Sequence, residues 1–388
     1  MTRRIAVLGV AALLATTLTA RAQNPGLQNG NVEFGKALPS DWYSDFVMVG
    51  QGTLGLEASG TGSGYAGNGA AAGWHGRILG NCQLNENTAL YGHLLAGDGA
   101  AGDEFLFCSM FGVNGAACQT ACDVYVREAF LRMVAPNNKW EFEVGRIDFS
   151  LLFDRNAHAW NFRDRFIAPA FVNNVTIDWP TGPVMSAYFG LEIAEGTILR
   201  AGAATTDPTY SLSRGGFSIV ELDQKLFEGA AIRGQVWSEG AERLRWGTAL
   251  PTGKYATPFG VAVNAEFQFG PLGVFGRWGV RNEEIFEIAS ALSGGITYKM
   301  PGQEDALVGV AANVAQRSKK YLDATTPTPI NAAYDKPEMQ IEGFYHHVLP
   351  CGATMTYDIQ MILVPFGDKD LDPVLVFGVL ANVPLGAH

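Results

Sequence analysis

Apolar and polar residues alternate with a period of two along many short segments of this chain. In the clearest segment, 355–361, Met355, Tyr357 and Ile359 fall on one face and polar side chains fall on the other. Successive side chains of a β-strand point to opposite faces, so this pattern predicts strands with one apolar and one polar face. Segment 259–269 repeats the pattern.

About sixteen such strands are predicted, an even number in the range of transmembrane barrels. They are expected at 47–58, 74–84, 88–97, 124–134, 140–148, 184–194, 197–206, 217–226, 230–240, 259–269, 272–281, 290–300, 306–316, 339–349, 353–363 and 373–384.

The predicted connections alternate in length. Short links are expected at 85–87, 135–139, 270–271, 301–305 and 350–352. Long, polar or glycine-rich links are expected at 59–73, 98–123, 149–183, 241–258 and 317–338. Short turns at one end and long loops at the other are typical of an outer-membrane barrel. We therefore predict an all-β fold, a transmembrane antiparallel β-barrel without an internal domain boundary.

The composition is compatible with a barrel that has one lipid-facing and one water-facing surface. The chain contains 47 glycines and 17% charged residues, whereas soluble proteins have about 25% charged residues. Mean hydropathy is only +0.07. Beyond the N-terminus the sequence contains no apolar run of about 18 residues, which argues against transmembrane helices.

The N-terminus has the pattern of a secretory signal peptide. Arg3 and Arg4 precede an apolar stretch at 5–18, and small residues at 20 and 22 form a cleavage site. A short buried helix is the alternative. The expected organisation is a signal peptide at 1–22, a lead-in segment at 23–46 and the barrel at 47–388.

The charge balance argues against nucleic acid as a partner. Residues 1–22 contain three arginines and no acid, so the remaining chain has 24 basic and 38 acidic residues, a formal net charge of −14. A nucleic-acid-binding surface needs the opposite sign. The expected partner is outer-membrane lipid.

The five cysteines suit an oxidising compartment, but their number is odd. Cys108, Cys118 and Cys122 lie in one long link, where two of them could pair. A metal site is the alternative for this cluster, although no histidine lies within it. The pairing among these three, Cys82 and Cys351 stays open.

Aromatic residues lie near the predicted strand ends, where aromatic girdles of membrane barrels are found. They are Trp140, Tyr255, Phe259, Phe269, Trp278, Tyr298, Tyr345 and Tyr357.

The third long link, 149–183, interleaves charged, amide and aromatic side chains with apolar residues such as Phe166 and Phe171. If this link is folded into the barrel, its polar groups can exchange hydrogen bonds with sugar hydroxyls and its aromatic rings can stack on sugars. The alternative is a solvated loop whose acids and bases pair with each other. The apolar residues favour the inward-folded loop. The candidates for the constriction are Asp154, Arg155, Asn156, Trp160, Arg163 and Arg165.

The alternation of side-chain direction along a strand, here called strand parity, also indicates which side chains line the lumen. Charged side chains are expected on the lumen side, because a charge facing lipid costs roughly 2–4 kcal/mol at the membrane midplane. The lumen candidates are Arg77, Arg233, Trp237, Glu266, Arg277, Glu342 and Asp358. They are expected to set the pore charge, or only to solvate the barrel interior.

Parity fails in one strand. Trp140, Phe142 and Val144 share a face with Arg146 and Asp148. Either a bulge near the glycine at position 145 shifts the register, or these two charged residues lie beyond the hydrocarbon zone.

Enzyme signals are weak. The chain contains no G-x-S-x-G motif, and the neighbouring His346 and His347 point to opposite strand faces, where they cannot share a metal. We expect no enzymatic activity, no metal and no cofactor.

Several segments resemble the carbohydrate-selective porin family (OprB type), in the family's order and over about residues 120–384. They are 124–131, 140–148, 153–156, 165–167, 170–174, 272–279, 342–345, 356–360 and 364–365.

The resemblance implies a sixteen-stranded outer-membrane barrel that takes up monosaccharides through a charged constriction. Residue by residue, it points to Glu128, Arg146, Asp148, Asp154, Asn156, Asn173 and Asn174. The resulting hypothesis is a carbohydrate-preferring porin for small hydrophilic solutes, monomeric or homotrimeric, in the bacterial outer membrane. A general or ion-selective porin is the alternative.

Overall fold

The computed structural model describes residues 34–36, 40–55, 70–99, 123–160, 162, 165–180, 182, 184–206, 215–248, 253–303, 305–324, 336–369 and 371–387. Within these residues, sixteen antiparallel strands close into one barrel. The barrel strands are β1 (Asp41–Gly55), β2 (Ala70–Asn85), β3 (Thr88–Gly99), β4 (Asp123–Val134), β5 (Trp140–Ile147), β6 (Val184–Ala194), β7 (Thr197–Thr205), β8 (Gly216–Phe227), β9 (Ala230–Glu239), β12 (Phe259–Phe269), β13 (Leu272–Arg281), β14 (Ile288–Lys299), β15 (Leu307–Arg317), β16 (Glu338–Val348), β17 (Thr354–Leu363) and β18 (Val374–Ala387).

Each barrel strand pairs with its neighbours along the chain, and β1 pairs with β18 to close the barrel. A two-stranded hairpin, β10 (Arg243–Leu244) and β11 (Tyr255–Ala256), lies between β9 and β12. The predicted sixteen-stranded antiparallel barrel is therefore confirmed. The first strand begins at Asp41 rather than at position 47, and the small hairpin was not predicted.

The two faces of the barrel wall differ in polarity. Val236, Leu292 and Val310 are each more than half exposed on the outer face, whereas Asn264 and Gln360 are fully buried on the inner face. This arrangement is the inverse of a soluble protein and is typical of a barrel with lipid outside. Several aromatic residues near strand ends are exposed on the outside, namely Trp140, Phe259, Phe269, Trp278 and Tyr357.

The register irregularity near β5 lies on its neighbour. The pairing of β3 with β4 passes from His93–Glu128 to Leu94–Val126, which leaves Arg127 as a bulged extra residue. The strand β5 keeps an unbroken register with both neighbours. The alternative of a bulge near position 145 of β5 is therefore wrong, since the extra residue lies in β4. The strand β5 ends one residue before the acid at position 148.

Helical structure in the described residues is confined to short turns. They are α1 (Pro169–Val172), α2 (Lys319–Ala324) and the 3₁₀ turns Phe149–Leu151 and Pro365–Gly367. None of these helices is long and apolar enough to cross a membrane.

Some sequence expectations lie outside the described residues. They concern the signal peptide at 1–22, most of the lead-in segment at 23–46, Arg163, and the cysteines Cys108, Cys118 and Cys122. Cys82 and Cys351 are described, and both are exposed and unpaired.

Candidate functional site

The connection between β5 and β6 begins with a capped turn. The Asp148 carboxylate accepts hydrogen bonds from the Ser150 backbone N–H at 3.1 Å and from its hydroxyl at 2.7 Å. Arg127 donates to the same carboxylate at 2.8 Å, and the Asp148 N–H donates to Glu128 at 3.2 Å. Asp148 therefore fixes the direction in which the chain leaves β5.

Asp154 joins this connection to three strands. Its carboxylate accepts from the Asn174 N–H at 2.7 Å and from the Asn264 amide at 2.8 Å, and lies 3.0 Å from Nε of Arg277. Its own N–H donates to Glu221 at 2.8 Å. Burial raises the pKa of Asp154, although Arg277 and the hydrogen-bond donors oppose this shift. The residue is fully buried, with a positive φ of 52°.

The next residues are held against β12 to β14. The Asn156 amide donates to the Asn264 side chain at 2.7 Å and to the Ala265 carbonyl at 3.2 Å. The Ala157 N–H donates to the Glu266 carboxylate.

The His158 ring then lies directly over Gly273, where any larger residue would collide with it. Its Nδ1 is 3.2 Å from the Thr297 hydroxyl. Burial, together with the nearby Arg165, lowers the pKa of His158 below its usual value of 6.5.

The far part of the connection reaches β16 and the closing strands. The Ile167 and Ala168 N–H groups donate to the two Glu342 oxygens at 2.6 and 3.2 Å. The Ile167 side chain packs with a buried cluster formed by Val47, Val49 and Leu380. Phe166 packs edge-on to Phe344, with ring centroids 4.8 Å apart.

Arg277 donates hydrogen bonds to backbone carbonyls and also pairs with the Asp154 carboxylate. Its two terminal nitrogens donate to the carbonyls of Phe171 at 2.5 Å and Ala159 at 2.6 Å. A single buried guanidinium thus fixes two distant points of the connection, which is a role suited to its five donors.

Arg155 and Trp160 form a pair on the connection. The Arg155 guanidinium carbon lies 5.6 Å from the Trp160 ring centroid, and its Nε donates to the Leu151 carbonyl at 2.9 Å. Burial and then the positive charge of Arg200 lower the pKa of Arg155. Trp160 is buried and donates from its indole N–H to the Ser150 carbonyl at 3.3 Å.

The inner wall carries connected ion pairs. Arg132 binds both Glu141 and Glu143, and Arg200 binds both Glu221 and Asp223. Arg233 lies within 3.2 Å of Asp223 and within 2.9 Å of Glu266. The wall from β4 to β12 therefore presents charges of both signs that are fixed by each other.

All seven lumen candidates are buried on the inner face, namely Arg77, Arg233, Trp237, Glu266, Arg277, Glu342 and Asp358. Among the constriction candidates, Glu128, Asp148, Asp154, Asn156 and Asn174 are buried and hydrogen-bonded within the protein. Arg155, Arg165 and Asn173 are half-buried.

Arg146 is placed differently from these candidates. The register sets it opposite Ala129 and Met185, whose side chains are exposed on the outer face. Its Nε donates to the carbonyl of the bulged Arg127 at 3.1 Å. Arg146 is therefore separated from the inner-face group and caps the bulge.

Sequence reasoning missed Asn264, Glu221 and the glycines that make room for the connection. Asn264 donates to Asp154 and accepts from Asn156, and Gly279 lies under Thr176. The sequence showed that these residues face inward, but it did not show their partners, which lie more than 60 residues away along the chain.

Comparison with protein-family models found no match, and comparison with curated proteins also found none. Among solved structures, the chain is similar to OprB of Pseudomonas putida at high pH, with a TM-score of 0.73 and 14% identity over 89% of this chain and 94% of that chain. It is also similar to the outer-membrane channel DcaP of Acinetobacter baumannii, with a TM-score of 0.54 and 13% identity over 91% of this chain and 100% of that one.

A mutant porin of Rh. blastica is similar too, with a TM-score of 0.53 and 12% identity over 88% of this chain and 99% of that chain. The chain therefore has the fold of the outer-membrane porins. The resemblance to the OprB type is confirmed at the level of the fold.

Proposed function

We propose that this chain is an outer-membrane porin through which small hydrophilic solutes, preferentially monosaccharides, diffuse passively. The proposal includes a cleaved signal peptide and no enzymatic activity or cofactor. The observation that carries it is the β5–β6 connection, whose buried groups hydrogen-bond to inward-facing side chains of β8, β12, β13 and β16. A segment held in this way would narrow the barrel to a fixed aperture.

The fixed polar wall supports a preference for uncharged, hydroxyl-rich solutes. Paired charges and amides offer donors and acceptors without a large net field, so a sugar can replace its hydration water by hydrogen bonds. Half-buried Arg155, lying over the Trp160 ring, combines a donor with an aromatic neighbour. We place the predicted constriction here, with Arg165 and Asn173 as further contacts.

A general or ion-selective porin is the second candidate, and one observation favours it. The carboxylate and amide groups of Asp154, Asn156 and Asn174 are used in internal hydrogen bonds. Groups that hold the chain in this way have fewer hydrogen bonds to offer a sugar.

Single-channel recording separates the two candidates. The purified protein is inserted in a planar lipid bilayer, and its conductance is recorded while glucose and maltose are titrated. A stepwise current that falls saturably with sugar supports the carbohydrate preference. Open channels that are indifferent to sugar favour the general porin, and a folded protein without channels refutes both.

A further inference from the structure

An arginine–aromatic cluster lies on the inner face at the long-connection end of β13. It consists of Arg281, Arg243, Phe286 and Trp237, and we call it the Arg281 cluster. Arg281 has the same inward parity as Arg277, four residues earlier. The Phe286 and Trp237 rings are buried and pack edge-on, with centroids 5.8 Å apart.

The Arg281 guanidinium is held in a fixed orientation. Its Nε donates to the Ile288 carbonyl at 2.8 Å, and its central carbon lies 4.5 Å from the Phe286 ring centroid. Arg243 lies over the same ring at 5.0 Å. With Nε occupied, the described residues leave the edge formed by the two terminal nitrogens of Arg281 for a further partner.

Among the described residues, Arg281 has no carboxylate within ion-pair distance, in contrast to most of the arginines that the structure describes. Nine others lie within 4.0 Å of a carboxylate oxygen, namely Arg77, Arg127, Arg132, Arg200, Arg233, Arg243, Arg245, Arg277 and Arg317.

The acids beside the Arg281 cluster already form ion pairs with other arginines. Asp178 and Glu239 both bind Arg243, and Glu287 binds Arg317 at 2.8 Å.

We propose that the Arg281 cluster binds the carboxylate of an anionic sugar, a uronic or aldonic acid, at the mouth of the pore. The two terminal nitrogens of a guanidinium match the two oxygens of one carboxylate. The adjoining aromatic rings provide an apolar surface for the carbon skeleton of the sugar. A singly charged group suits the site better than a phosphate, because Asp178 and Glu239 lie close by.

The proposal extends the proposed function by naming a further substrate class, and it rests on an open pore. Glucuronate and glucose are therefore titrated against the single-channel current of the wild-type protein. We expect glucuronate to reduce the current at a lower concentration than glucose. Arg281→Gln is expected to raise the half-saturating glucuronate concentration about tenfold, the usual scale for a lost charge-assisted pair, and to leave that of glucose unchanged.

Arg245→Gln is the matched control, because it removes the same charge from a half-buried arginine that is paired with Glu284 on a neighbouring loop. Arg281→Lys keeps the charge but loses the two parallel donors, so we expect its half-saturating glucuronate concentration to lie between those of the wild type and Arg281→Gln. An equal effect of Arg245→Gln, or equal half-saturation by the two sugars in the wild type, would overturn the proposal.

Calorimetric titration of the detergent-solubilised protein with glucuronate distinguishes a failure of the Arg281 cluster proposal from a failure of the proposed function. If the wild-type protein binds glucuronate and Arg281→Gln does not, the proposal for the Arg281 cluster is supported, whether or not channels open. If no channels open in that case, only the proposed function is refuted. Current block by glucose without any binding of glucuronate overturns the cluster and leaves the proposed function intact.

Discussion

At the scale of single residues, the side chains that suit sugar binding are the same types that suit holding a backbone. Asp154 and Asn174 present carboxylate and amide groups, yet both direct them to the chain itself. Half-buried Arg155 retains an exposed part. Residue type alone therefore does not separate anchors from solute contacts, whereas hydrogen-bond partners do.

Asp154→Asn tests the anchoring role. The substitution leaves the buried Arg277 guanidinium without its carboxylate, and removing one partner of a buried ion pair costs about 3 kcal/mol or more. We expect the free energy of unfolding in phospholipid vesicles, measured by denaturant titration, to fall by about this amount. We also expect noisier single-channel currents.

Asp305→Asn is the control for that substitution, since Asp305 is exposed in the turn before β15. Its expected change is within about 0.5 kcal/mol, as for most surface substitutions. Equal stability of the two variants would contradict the role given to Asp154.

The sequence correctly predicted which strand residues face the lumen, but it did not predict which of them pair with the β5–β6 connection. Strand parity placed Arg233, Glu266 and Asp358 on the inner face, because the direction of a side chain is fixed by its own strand. The pairing of Asp154 with Arg277 spans 123 residues, and nothing in either sequence neighbourhood specifies it. Alternation also set Arg146 on the apolar face of β5, but its partner, the carbonyl of the bulged Arg127, could not be read locally.

At the scale of elements, inward-facing glycines leave space for the β5–β6 connection. The His158 ring occupies the space over Gly273, and the Thr176 hydroxyl occupies the space over Gly279. A strand glycine normally weakens a sheet, so its presence often marks the close approach of another segment.

Gly279→Val should displace this connection. Its side chain would overlap Thr176 and Asn174, and overpacking of this kind typically costs about 1–3 kcal/mol. We expect lower stability to denaturant and an altered single-channel conductance.

Gly276→Val, three residues earlier on β13, is the matched variant. Its Cβ would lie no closer than 3.9 Å to a neighbouring atom, the Ser293 carbonyl oxygen. Wild-type conductance is expected here. A conductance change shared by both variants would point to the strand rather than to the connection.

The strands themselves were largely predictable, because sixteen segments with period two give a repeated signal. The hairpin β10–β11 was missed because strands of two residues are too short to show a period. The bulge was sought in β5, where parity failed, although the extra residue belongs to β4.

At the scale of the whole molecule, the outer face is the surface that the bilayer must solvate. Val236 on β9 is 60% exposed on this face. Val236→Arg is expected to lower the free energy of unfolding in bilayers by up to about 4 kcal/mol, because the cost of a lipid-facing arginine is largest at the midplane and falls toward the interfaces. Gln303→Arg, in an exposed turn, is expected to be neutral. A neutral Val236→Arg would contradict the lipid-facing assignment.

The contact of Ile167 and Ala168 with Glu342 joins residues 175 and 174 positions apart, and Ile167 also packs against β1 and the last strand, β18. Contacts of such long sequence separation form late, because the intervening chain must be ordered first. The far end of the connection can reach its final position only once β1, β16 and β18 are in place. In the proposed porin, a newly inserted barrel would therefore pass through a wide, leaky stage, and the aperture would be the last part of the molecule to mature.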